Sequence, residues 1–122
     1  MSPISTLGGE DGEQRLLAMW LNLRGWLWTH CPNGGRRTIG VARKLKAAGT
    51  KRGVPDVLIF SPPPKQPAGG AVGVAIELKR AKGGRVSPDQ KRFMDGLQEC
   101  GWVCYVAHGA TPAIKFLKEL GY

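Results

Sequence analysis

Asp56, closing the run Gly53-Val54-Pro55-Asp56, and the pair Glu77 and Lys79 in Ile76-Glu77-Leu78-Lys79 are the residues whose types and spacing could do chemistry. Two carboxylates brought close repel and raise each other's pKa unless a cation lies between them. Hard oxygen donors of this kind suit Mg2+, with Mn2+ able to substitute, and these ions keep some of their water and bridge to phosphate oxygens. A lysine two residues beyond a glutamate on a strand points to the same face. There its ammonium would orient an attacking water and offset charge on a phosphate. Metal-assisted phosphodiester hydrolysis is the chemistry such a set serves. The plainer alternative, a Glu–Lys pair on a solvated strand edge, would contribute little.

The charge balance agrees with a phosphate substrate. Lys and Arg number 18 against 9 for Asp and Glu, a formal net charge of +9 on 122 residues. Such an excess attracts polyanions and releases their counterions on contact. Ribosomal and membrane-surface proteins can be equally basic, so position has to decide. Arg36, Arg37, Arg43, Lys44, Lys46, Lys51 and Arg52 precede Asp56, and Lys79, Arg80, Lys82, Arg85, Lys91 and Arg92 begin just beyond Glu77. Acid flanked by base is what a metal-dependent phosphodiesterase requires, although a solvated surface can carry the same charge.

Several classes are disfavoured. Cys31, Cys100 and Cys104 are odd in number and form no C-x-x-C pair, against a disulfide framework or a closed zinc site. The longest apolar stretch, near Leu16 to Leu23, is too short to cross a bilayer, and the start lacks the pattern of a secretory signal. A cytoplasmic protein that does not engage the membrane is therefore expected. Gly35 to Gly40 has the spacing of a phosphate loop, but Val41 stands where its lysine would be, and neither G-x-S-x-G nor H-E-x-x-H occurs.

The elements that must position these residues can be read from periodicity. Residues 1–12 are expected to be a flexible start, and 13–122 a single α/β domain. Leu16, Leu17, Trp20, Leu21 and Leu23 recur at helical spacing from about Glu13, and Gly25 ends that helix. A short extended piece follows from Trp26 to His30, then a turn at Pro32-Asn33-Gly34-Gly35 and a basic helix from Ile39 to Ala48. Val54 to Phe60 and Val72 to Lys79 read as strands about a Pro/Gly-rich loop. In the second strand Val72, Val74, Ile76 and Leu78 share one face, and Gly73, Ala75, Glu77 and Lys79 the other. Ser87-Pro88-Asp89-Gln90 has the serine, proline and glutamine of a capping box and opens a helix to Cys100 with Phe93, Met94 and Leu97 inward. A strand over Trp102 to Ala107 and a helix from Thr111-Pro112 complete the chain.

Gly-x-Pro-Asp, then Glu-x-Lys, then Ser-x-x-Gln-Lys, with His30-x-Pro32-Asn33-Gly34-Gly35 upstream, resembles the VRR-NUC branch of the PD-(D/E)-x-K nucleases. The resemblance runs from about Glu13 to Leu120. It implies an αβββαβ core with a mixed central sheet flanked by helices, and Mg2+-dependent DNA hydrolysis leaving 5′-phosphates. Asp56, Glu77, Lys79 and Gln90 would be the catalytic set. Glu13, or else Glu10, would join Asp56, Glu77 and the Leu78 backbone carbonyl as metal ligands. Compact members are similar to phage and bacterial proteins that act as homodimers on branched DNA such as Holliday junctions. Flap or plain duplex cleavage, or a basic DNA-binding module without catalysis, are the rivals. Asn33, Arg36, Arg37, Lys51, Arg52, Arg80, Lys82, Arg85 and Lys91 are the expected DNA contacts.

Other residues have ordinary roles to set beside chemical ones. The capping box accounts for Gln90 without catalysis, and both roles can hold together. His30, beside a turn, is read as packing or touching phosphate rather than as a general base, and His108 as structural or exposed. Trp20, Trp26, Trp28 and Trp102 lie in apolar segments and are read as core or subunit interface.

Overall fold

A computed structural model of the chain describes residues 9–32 and 37–122. Its elements follow one another as α1 (Glu10–Arg24), β1 (Trp28–His30), α2 (Ile39–Ala47), β2 (Val57–Ile59), β3 (Gly73–Lys79), α3 (Pro88–Glu99), β4 (Trp102–His108) and α4 (Ala110–Glu119). The expected αβββαβ order is present, with α2 inserted after the first strand. The strands lie in the order β1-β2-β3-β4. The pairs β1/β2 and β2/β3 are antiparallel, whereas β3/β4 is parallel, as the crossover through α3 requires.

Helix α1 starts at Glu10 rather than Glu13, so residues 10–12, expected in the flexible start, are helical. Its N-cap, Gly9, has no side chain to cap it, but Glu10, Asp11 and Glu13 in its first turn complement the positive end of the helix dipole. Leu17 and Leu21 form its buried stripe. They meet Val57, Ile59, Val74, Ile76 and Leu78 from the sheet and Ala113 and Leu117 from α4 in one apolar layer. Trp20, Trp26 and Trp28 pack half-buried against that layer. Strand alternation then turns Ala75, Glu77 and Lys79 to the opposite face, where α3 lies with Met94 buried.

Two strands are shorter than expected. β2 is confined to Val57–Ile59, because Pro55 has no N–H to give a ladder and is itself buried in the approach to the strand. Val72 stands outside β3 and is 54% exposed, so it takes no place on the inward face. Helix α2 ends at Ala47, with Thr38 accepting a hydrogen bond from Val41 N at 3.2 Å, and it buries none of its residues.

Candidate active site

The register of β2 and β3 brings the two carboxylates together. Val57 pairs with Ile76, so Asp56, one residue earlier on an antiparallel strand, arrives beside Glu77. Asp56 Oδ2 accepts a hydrogen bond from Leu78 N at 2.7 Å. The backbone carbonyl of Asp56 accepts from Cys31 N at 2.7 Å and meets His30 Nδ1 at 2.8 Å. A carbonyl oxygen only accepts, so this contact puts the imidazole proton on Nδ1. His30 thus braces Asp56 through its backbone.

Glu77 is 2% exposed and Lys79 9%. Glu77 Oε1 accepts from Gln90 Nε2 at 3.1 Å and lies 4.0 Å from Lys79 Nζ. Glu77 Oε2 is buried with no hydrogen-bond donor among the described residues. Burial pushes the Glu77 carboxyl up to about 8, and the charge and hydrogen bonding of Asp56 add to the rise, while the Lys79 ammonium opposes it. The neighbour of this carboxyl is another carboxylate, and two such groups settle together only with a proton or a cation between them.

Gln90 ties the site to the start of α3. Its Oε1 accepts from Ser87 N at 2.8 Å and from Lys79 Nζ at 3.0 Å, while Ser87 Oγ accepts from Gln90 N at 3.1 Å. The capping box is therefore complete, and the same amide orients both Lys79 and Glu77. Gly53, at φ +83°, lets the chain before Asp56 touch this turn: a Cβ there would overlap the backbone of Asp89 and lie 2.7 Å from Gln90 N.

The two helix-one acids expected near the site, Glu10 and Glu13, both lie in the first turn of α1. Glu13 Oε1 accepts from Ala110 N at 2.8 Å, the first residue of α4, whose own N-cap, Gly109, supplies no side chain. Its carboxylate thus serves the start of α4. Glu10 is the α1 acid whose charge acts on Glu77. Among the described residues, no third His, Cys, Asp or Glu joins Asp56 and Glu77 closely enough to complete a side-chain metal cage. Gln14, given no role by sequence reasoning, has both amide atoms buried without a partner on the α1 face that also carries Leu17 and Leu21.

The donor set suits a hard cation, since Mg2+ commonly binds through one or two carboxylates and completes its shell with water and substrate phosphate. The donorless, buried Glu77 Oε2 beside Asp56 is the observation in favour. The structure thus brings Asp56, Glu77, Lys79 and Gln90 together, with the Leu78 backbone between them.

Of the expected DNA contacts, Asn33 and Arg36 lie outside the described residues. Arg37, Lys51 and Arg52 are exposed and line a cleft beside α3. Arg80, Lys82 and Arg85 are exposed on the connection after β3, and Lys91 pairs with Asp95 at 3.7 Å on the surface of α3. His108 is exposed with Nδ1 3.1 Å from the Arg80 carbonyl.

Comparison with known proteins bears on this geometry. The family model for the VRR-NUC domain matches residues 9–111. A solved structure named "VRR_NUC domain protein" is similar over 91% of this chain and 86% of its own, with a TM-score of 0.73 and 24% sequence identity. No curated protein matches.

Proposed function

The chain belongs to the VRR-NUC domain family, and from that premise we propose that it hydrolyses DNA phosphodiester bonds with a divalent cation. The fold is of nuclease type. Mg2+ would be the cation, with Mn2+ able to substitute, and Asp56 and Glu77 would hold it with the Leu78 carbonyl. The observation that carries this reading is the buried Glu77 oxygen, without a donor, set beside a second carboxylate. When bound, the cation supplies Lewis acidity at the scissile phosphate.

The chain's own groups do the rest. Asp56 is locked by the Leu78 N–H, so its orientation does not depend on substrate. Lys79, held by Gln90 Oε1, keeps an ammonium beside the carboxylates, where it positions a phosphate oxygen and offsets the charge developing there. Gln90 bonds both partners of the Lys79–Glu77 ion pair, accepting from Lys79 Nζ and donating from Nε2 to Glu77 Oε1.

Branched DNA is the proposed substrate and a homodimer the proposed working form. Cutting both strands of a symmetric four-way junction calls for two sites related by a two-fold axis. Among the described residues, no helix is long and apolar enough to cross a membrane. The test is cleavage of labelled junction, flap and linear duplex DNA in Mg2+, Mn2+ or EDTA, with light scattering for the oligomer. Junction cutting that needs the cation is expected. Equal cutting of linear and branched duplex defeats the junction preference, and no cutting under any condition leaves only a DNA-binding module.

A further inference from the structure

We propose that the cleft between α2 and the first turn of α3 binds an unpaired DNA strand leading to the catalytic set. This rests on the nuclease reading and deepens it by naming the form of DNA that enters: a strand freed from its partner at a branch point. The cleft has a volume of about 1030 Å³, and Arg37, Arg43, Lys46, Lys51 and Arg52 supply its charge. Among the described residues of its lining Asp89 is the only carboxylate, and Arg92 already pairs with it. The surface is thus complementary to a run of phosphates.

Position links the cleft to the chemistry. Ser87 and Gln90 form part of its wall, and Gln90 is the residue that bonds both Lys79 and Glu77. A backbone lying along the cations therefore reaches Gln90, which bonds the catalytic lysine.

The apolar part of the lining selects the form of DNA. Ile39, Ala42 and Leu45 line the cleft with the basic residues. Ile39, Ala42, Arg43 and Lys46 recur at i, i+3, i+4 and i+7, so one face of α2 carries both characters. Ile39 is 73% exposed, and α2 buries nothing of its own. A helix this short gains little stability alone, so an occupant that covers that face also stabilises the helix. A duplex offers this surface phosphates and sugars, with its base faces stacked away. An unpaired strand offers base faces to Ile39 and Leu45 as well as phosphates to the cations.

The experiment uses the full chain in EDTA, so that nothing is cut, and follows fluorescence anisotropy of a short labelled oligothymidylate and of a blunt duplex across a salt series. Replacing Arg43 and Lys46 together by serine is expected to weaken oligothymidylate binding about tenfold and to lower its salt slope by roughly 1.4, the share of two single-strand phosphates. Ile39→Ser should weaken the same complex roughly threefold with its salt slope unchanged, as loss of an apolar contact requires. Duplex affinity should move less than about twofold in Ile39→Ser, whereas the charge variant weakens the duplex as well, so the apolar variant is the one that separates base contact from charge alone. These side chains are exposed, so the fold survives the changes. Equal losses for duplex and single strand in Ile39→Ser, or no loss for the single strand in either variant, overturn the proposal. Cleavage in Mg2+ is scored separately: a wild-type chain that cuts nothing defeats the nuclease reading, while the EDTA measurements still decide what the cleft binds.

Discussion

Asp56 and Leu78 are joined by a side-chain to backbone hydrogen bond of 2.7 Å that crosses from the approach to β2 to the end of β3. It fixes the Asp56 carboxylate next to Glu77 by the same register that aligns Val57 with Ile76. The site is thereby built into the sheet, so a loss of function on altering its carboxylates reports chemistry more than loose geometry. Asp56→Ala and Glu77→Ala should each lower cleavage by roughly a thousandfold or more. Salt-sensitive DNA binding in EDTA should stay within about threefold, because the phosphate contacts come from other residues. Single-turnover kinetics and anisotropy on the same preparations give both readings, and normal turnover in either variant removes that residue from the site.

Gln90 has two roles that substitution can part. Ser87→Ala removes the cap and should cost about 1 kcal/mol in urea unfolding while cleavage stays within about threefold. Gln90→Ala loses the cap and also frees Lys79 and Glu77, so a similar stability loss should come with roughly a hundredfold fall in kcat. Equal activity in the two variants would reduce Gln90 to a capping residue.

The raised pKa of Glu77 carries a signed consequence for pH. Its folded value, about 8, lies above the ordinary 4.5, so the folded state favours the protonated acid. No penalty exists below about 4.5; it grows as pH rises and is complete above about 8. In EDTA, wild type should therefore lose stability relative to Glu77→Gln across that window. At pH 8, Mg2+ should raise the melting temperature of wild type and leave Glu77→Gln unmoved, since a cation between the carboxylates relieves the same repulsion. Calorimetry with EDTA and with Mg2+ checks both, and a flat difference between the proteins contradicts the account.

Local signals made much of this legible. Ser87 and Gln90 sit at capping-box spacing and do form the box, and the alternation through β3 puts Glu77 and Lys79 on one face as read. Tertiary context decided the rest. Helix α2 shows Ile39, Val41 and Leu45 at apolar positions, yet it buries none of its residues, because periodicity marks an amphipathic face without saying what covers it. The extent of β2 depended on Pro55 and on the approach of Gly53 to α3, a contact between segments that no window of sequence contains. Glu10 and Glu13 both belong to the first turn of α1, and spacing cannot rank them. What separates them is Ala110, 97 positions from Glu13.

That separation gives a last prediction. Glu13 satisfies the first N–H of α4, so Glu13→Ala should cost about 1 kcal/mol in urea unfolding, the usual loss on deleting a cap. Glu13→Gln keeps an acceptor oxygen and should recover most of that loss. Glu10 is exposed and holds no such bond among those described, so Glu10→Ala should stay within about 0.5 kcal/mol of wild type. Its charge nevertheless acts on Glu77, and an extra acid there strengthens a cation site. Solvent screens that charge, so Glu10→Ala should raise the Mg2+ concentration for half-maximal cleavage only about twofold. Titration of both variants with Mg2+ decides the matter: a Mg2+ requirement displaced by Glu13→Gln and untouched by Glu10→Ala would assign the influence on the cation to Glu13 instead of Glu10.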